Sequence, residues 1–373
     1  MTKIGILGGG QLGRMLLQAA ANYPVITYIL DADKDAPATH LCHHYILGSI
    51  QNYDDVYNFG KLVDVLTIEI EHVNLPALEQ LENEGLKIIP NTATLKIIKN
   101  KILQKQYYTK HSIPTAPYNI TNNLADVQAN LNKLPAVHKI AEGGYDGKGV
   151  IMLNSESDIA NAFAAGAILE KKLDIQKEIA QIIAIGQQGE IALYPAVEMH
   201  FDPYLNLLNY QLCPAYIPEK VLWKVEAIAL TVAKNFGSAG LYAVELIIDR
   251  NDNVWVNETA PRVHNSGHHT IEAHYSSQYD MLLRILLNYP LGNTATILPS
   301  LMLNIIGAPS YNGTAVYNNL PQVLGIDNCF VHIYGKKETK PGRKMGHITI
   351  LSTEKQELIH QANKIKQLLT VTT

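Results

Sequence analysis

Cysteine is scarce in this chain. Only Cys42, Cys213 and Cys329 occur, far apart and with no CxxC pair. That usage supplies neither a disulfide framework nor the ligand spacing of a structural zinc site. An excess of basic charge is also missing: 30 Lys and Arg face 34 Asp and Glu, a formal charge of −4. Nucleic acid and anionic membrane both reward a basic surface, so neither is expected as the main partner. No apolar run reaches the length of a membrane span. The start, Met1-Thr2-Lys3-Ile4-Gly5-Ile6-Leu7, enters a strand pattern at once and shows no leader. A cytoplasmic protein is the expectation.

What is present is a packed globular composition, 47% hydrophobic and 17% charged, and 373 residues exceed what one core holds. The first 90 or so residues alternate short apolar strands (3–7, 25–31, 63–70) with helical stretches such as 11–21, as in a parallel sheet covered on both faces. After Pro90-Asn91-Thr92 a polar helix is expected over 93–111. Beyond residue 137 the strands lengthen and alternate, as in antiparallel sheet: 178–185, 190–197, 242–249 and 254–258. The fold class read from this is α/β with an α+β centre. Three domains are expected, over 1–92, 93–290 and 291–373.

Two glycine strings suggest phosphate chemistry. Gly8-Gly9-Gly10-Gln11-Leu12-Gly13 follows a strand, with Asp31 at the end of the next. It matches a dinucleotide fingerprint, or a turn whose helix N-terminus takes a substrate phosphate near Gln11 and Leu12. Gly143-Gly144-Tyr145-Asp146-Gly147-Lys148-Gly149 lies between strands and follows Lys139. Free amides and Lys148 suit a lid over a triphosphate, although the string is not a Walker A loop, because Gly149 stands where Ser or Thr would.

The sharper signal is a pair of acids. The segments 242–249 and 254–258 flank the turn Arg250-Asn251-Asp252-Asn253. If Asp249 pairs with Val254, Glu245 falls opposite Glu258, with Cβ atoms about 5 Å apart on one face. Two carboxylates so placed repel unless a cation lies between them, and Mg²⁺ or Mn²⁺ shared with phosphates fits. A bulge would turn Asn257 to the same side. Directly after them, Arg262 offers a planar fork for bicarbonate or carboxylate, and His264, Asn265 and Ser266 could orient a small acceptor. Zinc on His264, His268 and His269 lacks a fourth ligand at a fitting spacing. Near the C-terminus a basic turn contains Lys336 and Arg343, candidate ligands for a monophosphate.

Taken in order, these strings resemble the ATP-grasp superfamily. Within it, Asn257-Glu258-Thr259-Ala260-Pro261-Arg262-Val263-His264-Asn265-Ser266-Gly267-His268 and Pro341-Gly342-Arg343-Lys344-Met345-Gly346-His347 resemble the 5-(carboxyamino)imidazole ribonucleotide synthase family. The resemblance implies a Rossmann-like N-terminal domain, a central lid and a small C-terminal domain. It implies a ligase of purine biosynthesis that joins bicarbonate to aminoimidazole ribonucleotide through carboxyphosphate, releasing ADP and phosphate, and a homodimer. ATP would contact Lys101, Lys139, the string Gly143 to Gly149, Glu170, Lys171, Lys172, Leu173, Glu178, His200, Asn257 and Glu258. Glu245 and Glu258 would hold magnesium. Arg262, His264 and Asn265 would hold bicarbonate, with Asp146 and Lys148 completing the catalytic group. Gln11, Leu12, Tyr145, Asp146, Ser266, Lys336 and Arg343 would bind the ribonucleotide. The sequence departs from the family pattern at Ile140-Ala141-Glu142, where basic residues are usual. Another ATP-grasp ligase or transformylase is the alternative. An oxidoreductase would instead bind NAD(H) at the first glycine turn, and a non-catalytic module would bind nucleotide without turnover.

Overall fold

Thr2–Leu7 sits at the centre of a five-stranded parallel sheet, in the order His44–Leu47, Val25–Asp31, Thr2–Leu7, Val65–Ile68, Lys87–Ile88. The structure, a computed structural model, describes residues 1–144, 149–202 and 207–373. Helix Gln11–Ala20 turns Leu12, Met15, Leu16, Leu17 and Ala20 inward as one apolar stripe. The stripe packs against helix Gln278–Leu286, and the shared cluster runs from Ile4 and Ile6 through Leu282 and Ile285 to Ile182 and Leu241. The N-terminal sheet is thereby fixed to the central one, so side chains from both can meet in one site.

Asparagine starts five helices between residues 52 and 128: Asn52, Asn74, Asn91, Asn100 and Asn123 each accept a hydrogen bond from first-turn N–H groups. Such a cap contributes about 1 kcal/mol. Asn100 also corrects an expectation. The helix read over 93–111 is two helices, Thr92–Lys99 and Lys101–Lys110, because Asn100 is extended (φ −120°, ψ 116°) and caps the second. The break lets the Lys101 N–H donate to the Ala141 carbonyl at 2.8 Å. Lys101 and Lys105, four apart, share one helix face.

Two short antiparallel ribbons, Gly313–Thr314 with Glu338–Thr339 and Val316–Asn318 with Thr370–Thr372, and two larger antiparallel sheets complete the fold among the described residues. The smaller runs Tyr118–Thr121, Ala167–Lys171, Ala136–Ile140, Val150–Leu153. Tyr145, Asp146, Gly147 and Lys148, between its last two members, lie outside the described residues. The larger runs Val254–Ala260, Gly240–Asp249, Ile175–Ile185, Val197–Phe201, Leu208–Cys213, Ser300–Ile306, Lys344–Leu351, Cys329–Ile333. Residues beyond 300 therefore extend the central sheet. The strand expected over 190–197 is replaced by Ile191–Leu193 and Val197–Phe201. Pro195 falls between them and has no N–H for a ladder.

Candidate active site

Glu245 does lie opposite Glu258, but by a different register from the one expected. Val254 pairs with Ile248 rather than Asp249, and a shift between Glu245 and Leu246 restores the acidic pair. The extra residue is Asn257. Its amide oxygen accepts from Lys139 Nζ at 2.7 Å, and its side chain also bonds Glu245. The bulge brings in the third polar group of the hairpin. On the next strand, Glu178 pairs with Ile247 and Ala180 with Glu245, so Glu178 shares the acidic face.

Three carboxylates on one half-buried face need compensation. Burial, then the charges of Glu258 and Glu178, push the Glu245 carboxyl up to about 8. Lys101, ion-paired with Glu258, holds that carboxyl well down. A second buried group lies beside them: Glu170 is bridged by Lys105 and, at 2.6 Å, by Lys139. Burial pushes the Glu170 carboxyl up, but the two lysines outweigh it and leave it lowered. Burial also depresses the Lys105 amine to about 8. Lys101, Lys139, Glu170, Glu178, Glu245, Asn257 and Glu258 thus form one group built from the helix after Asn100 and both larger antiparallel sheets.

The strand leaving Glu258 delivers the segment expected to hold bicarbonate. Arg262 Nε lies 3.0 Å from Glu71 Oε1, and its Nη2 donates to Glu71 Oε2 at 3.1 Å. His264 Nε2 is 3.7 Å from Glu245 Oε1, and its Nδ1 is 2.9 Å from Ser266 Oγ. Arg262 and His264 therefore stand on the acidic side of the site. Asn265 and Ser266 are turned inward. The Asn265 amide forms a reciprocal pair with Asn304 at 2.9 and 3.0 Å, and Ser266 is fully buried. The side chains of these two residues position the segment, which corrects the direct contacts expected of them.

Three family models match in chain order: a ribonucleotide synthetase preATP-grasp domain over 1–99, an ATP-grasp domain over 106–279, and a phosphoribosylaminoimidazole carboxylase C-terminal domain over 300–361. The N5-carboxyaminoimidazole ribonucleotide synthase of Synechococcus elongatus is 33% identical over 355 residues, 93% of this chain and 89% of that one. The chain belongs to this synthase family. A crystal structure of the Thermotoga maritima N5-carboxyaminoimidazole ribonucleotide synthetase superposes with a TM-score of 0.91 at 35% identity, over the whole of both chains. An Aspergillus clavatus synthase solved with ADP and 5-aminoimidazole ribonucleotide gives 0.87 at 32% identity, over 98% of this chain and 99% of that one. The fold is the mixed α/β ATP-grasp fold. The chain spans 64% of the length of the chloroplastic carboxylase of Vigna aconitifolia that it matches.

Two expectations change on the structure, one drawn from the resemblance and one from the first glycine turn. Met199, not His200, pairs with Glu178. Strand alternation therefore puts His200 on the opposite face, 3.1 Å from Glu198 and stacked on Tyr210. His200 does not join the face that carries Glu178, Glu245 and Glu258. The first glycine turn is also filled from within: the N–H groups of Gly10 and Leu12 donate to Glu69, the latter at 2.9 Å, and the Gly9 N–H donates to Asp31 at 2.6 Å. The amides that would take a pyrophosphate or substrate phosphate already hold a carboxylate. Leu12 is buried and Gln11 half-buried at the edge of this turn.

The remaining candidates are placed as follows. Lys171 and Lys172 are exposed and Leu173 half-buried at the end of Ala167–Lys171, beside Glu170. Gly143, Gly144 and Gly149 flank residues 145–148, which lie outside the described residues, and Gly143 and Gly149 have φ of 80° and 81°, where glycine is favoured. Glu142 accepts from Asn100 Nδ2 at 2.9 Å, so the unusual acid supports the cap of the helix carrying Lys101. Lys336 Nζ donates to the Lys344 carbonyl at 2.7 Å and Arg343 Nη1 to the Glu338 carbonyl at 2.7 Å. The adjacent Lys337 pairs with Asp35 at 2.7 Å, docking this turn on the N-terminal domain. Glu69, Glu71, Lys105 and Asn304 went unread in the sequence, since each acts through a partner at least 39 residues away.

Proposed function

We propose that this chain carboxylates the exocyclic amine of 5-aminoimidazole ribonucleotide with bicarbonate, converting ATP to ADP and phosphate, as a step of purine biosynthesis. The observation that carries the reading is the Glu245–Asn257–Glu258 bulge, from which the chain leaves its strand at Ala260 and continues to Arg262 and His264. The relatives named for this reaction support it, as does the Aspergillus clavatus complex with ADP and the ribonucleotide.

A divalent cation fits the site: the Glu245 carboxyl is driven up because its neighbours Glu258 and Glu178 are like-charged. Mg²⁺ or Mn²⁺ on Glu245 and Glu258 would neutralise charge on the terminal phosphates. Lys101 and Lys139, now on Glu258, Glu170 and Asn257, are the cations that would turn toward the nucleotide. Arg262, its fork fixed by Glu71, holds bicarbonate against the γ-phosphoryl group; an anion attacking an anion needs this compensation. Bicarbonate oxygen attacks phosphorus, ADP leaves, and carboxyphosphate forms. The amine of the ribonucleotide then takes the carbon and phosphate departs.

Glu178 would bind the ribose hydroxyls of ATP, and the segment from Glu170 to Leu173 its adenine. Tyr145, Asp146, Lys148, Lys336 and Arg343 would bind the ribonucleotide, with Asp146 accepting the proton of the amine. We place the enzyme in the cytoplasm, as a homodimer. ADP release measured with and without each of Mg²⁺, bicarbonate and aminoimidazole ribonucleotide tests the reading. Release that requires all three, with carboxylated product, supports it. Release that is independent of bicarbonate, or supported by formate in its place, overturns it.

A further inference from the structure

Cys213, His269 and His274 lie outside the group described above, and all three are buried, with 1%, 1% and 3% of their surface exposed. Cys213 ends strand Leu208–Cys213, and the two histidines bracket the short helix Thr270–Ala273. One donor atom of each lies within 4.8 Å of the other two. Cys213 Sγ is 3.6 Å from His274 Nε2. A tetrahedral ion with bonds of about 2.3 Å to sulfur and about 2.0 Å to nitrogen separates those two ligands by about 3.5 Å.

The outer ring nitrogens of both histidines are themselves hydrogen-bonded, as those of metal-bound histidines are. His274 Nδ1 lies 2.8 Å from the Thr294 carbonyl, which fixes its proton there and leaves the Nε2 lone pair facing the thiol. His269 Nδ1 lies 2.9 Å from the Gln211 amide nitrogen and also within reach of the Ser266 carbonyl. The Gln211 amide N–H donates to Nδ1 in the ion-free chain, which leaves the imidazole proton on Nε2; an ion taking Nε2 moves that proton to Nδ1, where the Ser266 carbonyl accepts it. That Nε2 is buried and has no hydrogen-bond partner. An internal thiol-to-His274 hydrogen bond accounts for two members of the cluster but leaves this atom unsatisfied, at a cost of about 1–3 kcal/mol.

We propose that Cys213, His269 and His274 form a buried structural site for a thiophilic d¹⁰ cation, Zn²⁺ or Cu⁺. Binding releases the Cys213 proton, and thiolate and two neutral imidazoles become the ligands. Among the described residues no fourth side chain joins the cluster. A three-coordinate ion or one added water completes the site, and the three protein ligands suit either cation. The ion would tie the end of Leu208–Cys213 to the segment that carries Arg262 and His264.

The test uses the full chain, stripped with chelator and then offered Zn²⁺, Cu⁺ or Co²⁺ separately before desalting. Metal content is read by mass spectrometry, and the cobalt form by its thiolate-to-metal charge-transfer absorption. The parent should retain about one ion per chain, and the cobalt form should show the band. Cys213→Ser, which preserves volume, should lose both while keeping bicarbonate-dependent ADP release; His274→Gln should weaken retention. Retention of Zn²⁺ but not Cu⁺, or the reverse, identifies the ion. A parent that retains neither, or a Cys213→Ser chain that retains as much as the parent, overturns the site.

Discussion

Replacing Glu245 by Gln should make the metal-free protein more stable in mild alkali while removing its activity. The Glu245 side chain is 16% exposed, and its carboxyl is pushed from 4.5 up to about 8 by burial and by Glu258 and Glu178. The folded state binds this proton more tightly than the unfolded chain does. Ionising the group therefore costs native stability, a loss that accrues as pH rises from about 4.5 to about 8 and is complete above it. At 1.36 kcal/mol per unit the shift corresponds to at most about 5 kcal/mol; allowing for water penetration and for relaxation of Lys101, about 2–4 kcal/mol is expected.

Glutamine keeps the shape and never ionises, so it escapes that penalty. Thermal melts in chelator should show the variant several degrees above the parent at pH 8.5 and level with it near pH 5. Added Mg²⁺ should raise the parent's midpoint most at high pH, because the cation needs the ionised acid, and should leave the variant's unchanged. ADP release should fall about 10²–10³-fold, as expected when a group stabilising transition-state charge is lost. A variant that is less stable than the parent at pH 8.5, or that follows the same pH curve, would refute the account of Glu245 as a strained, cation-seeking acid.

Glu71→Gln should leave nucleotide binding intact and lower the rate of ADP release by about 10²-fold, because Arg262 loses the partner that aims its fork; steady-state rates beside a nucleotide titration read both. Lys105→Met should cost about 3 kcal/mol in denaturant unfolding, since Glu170 keeps only Lys139 as a counter-charge. Asp146→Ala should retain ATP binding and lose carboxylated product; unchanged turnover would exclude the proton-accepting role. Gly10→Ala would set a methyl group 2.5 Å from Glu69 Oε1, and about 1–3 kcal/mol of stability should be lost, measured by the same unfolding assay.

The sequence disclosed what short-range arithmetic can reach. The acidic hairpin is local, so the opposition of Glu245 and Glu258 was countable from numbers on either side of a four-residue turn. The count reached the right pair through the wrong register, because pairing begins one residue earlier and the Asn257 bulge makes up the difference. Nothing in polarity alone separates those two routes. The break at Asn100 was equally hidden, since the Lys residues on both sides are good helix formers and the competing partner, the Ala141 carbonyl, lies 40 residues beyond Lys101. His200 failed for a related reason: one residue of offset reverses the face of a strand. Glu71 and Asn304 carry no local signature, because their value comes only from Arg262 and Asn265.

Two anionic centres in this molecule show how structural and functional acids differ. Glu69 is buried, yet backbone N–H groups of Gly10, Leu12 and Gly13 point at it. These donors are fixed by the turn and already occupied, so the turn is closed to other anions, although burial still holds the Glu69 carboxyl above its usual range. Glu258 and Glu170 are compensated instead by Lys101, Lys105 and Lys139, and Glu245 lacks an adequate counter-charge. Ammonium groups on flexible stems can be displaced, and an under-compensated acid gains by admitting a cation. A glycine-rich turn after a strand is thus no evidence of a nucleotide when a carboxylate already fills it. On the function proposed above, the nucleotide goes instead to the group whose acids lack a full counter-charge of their own.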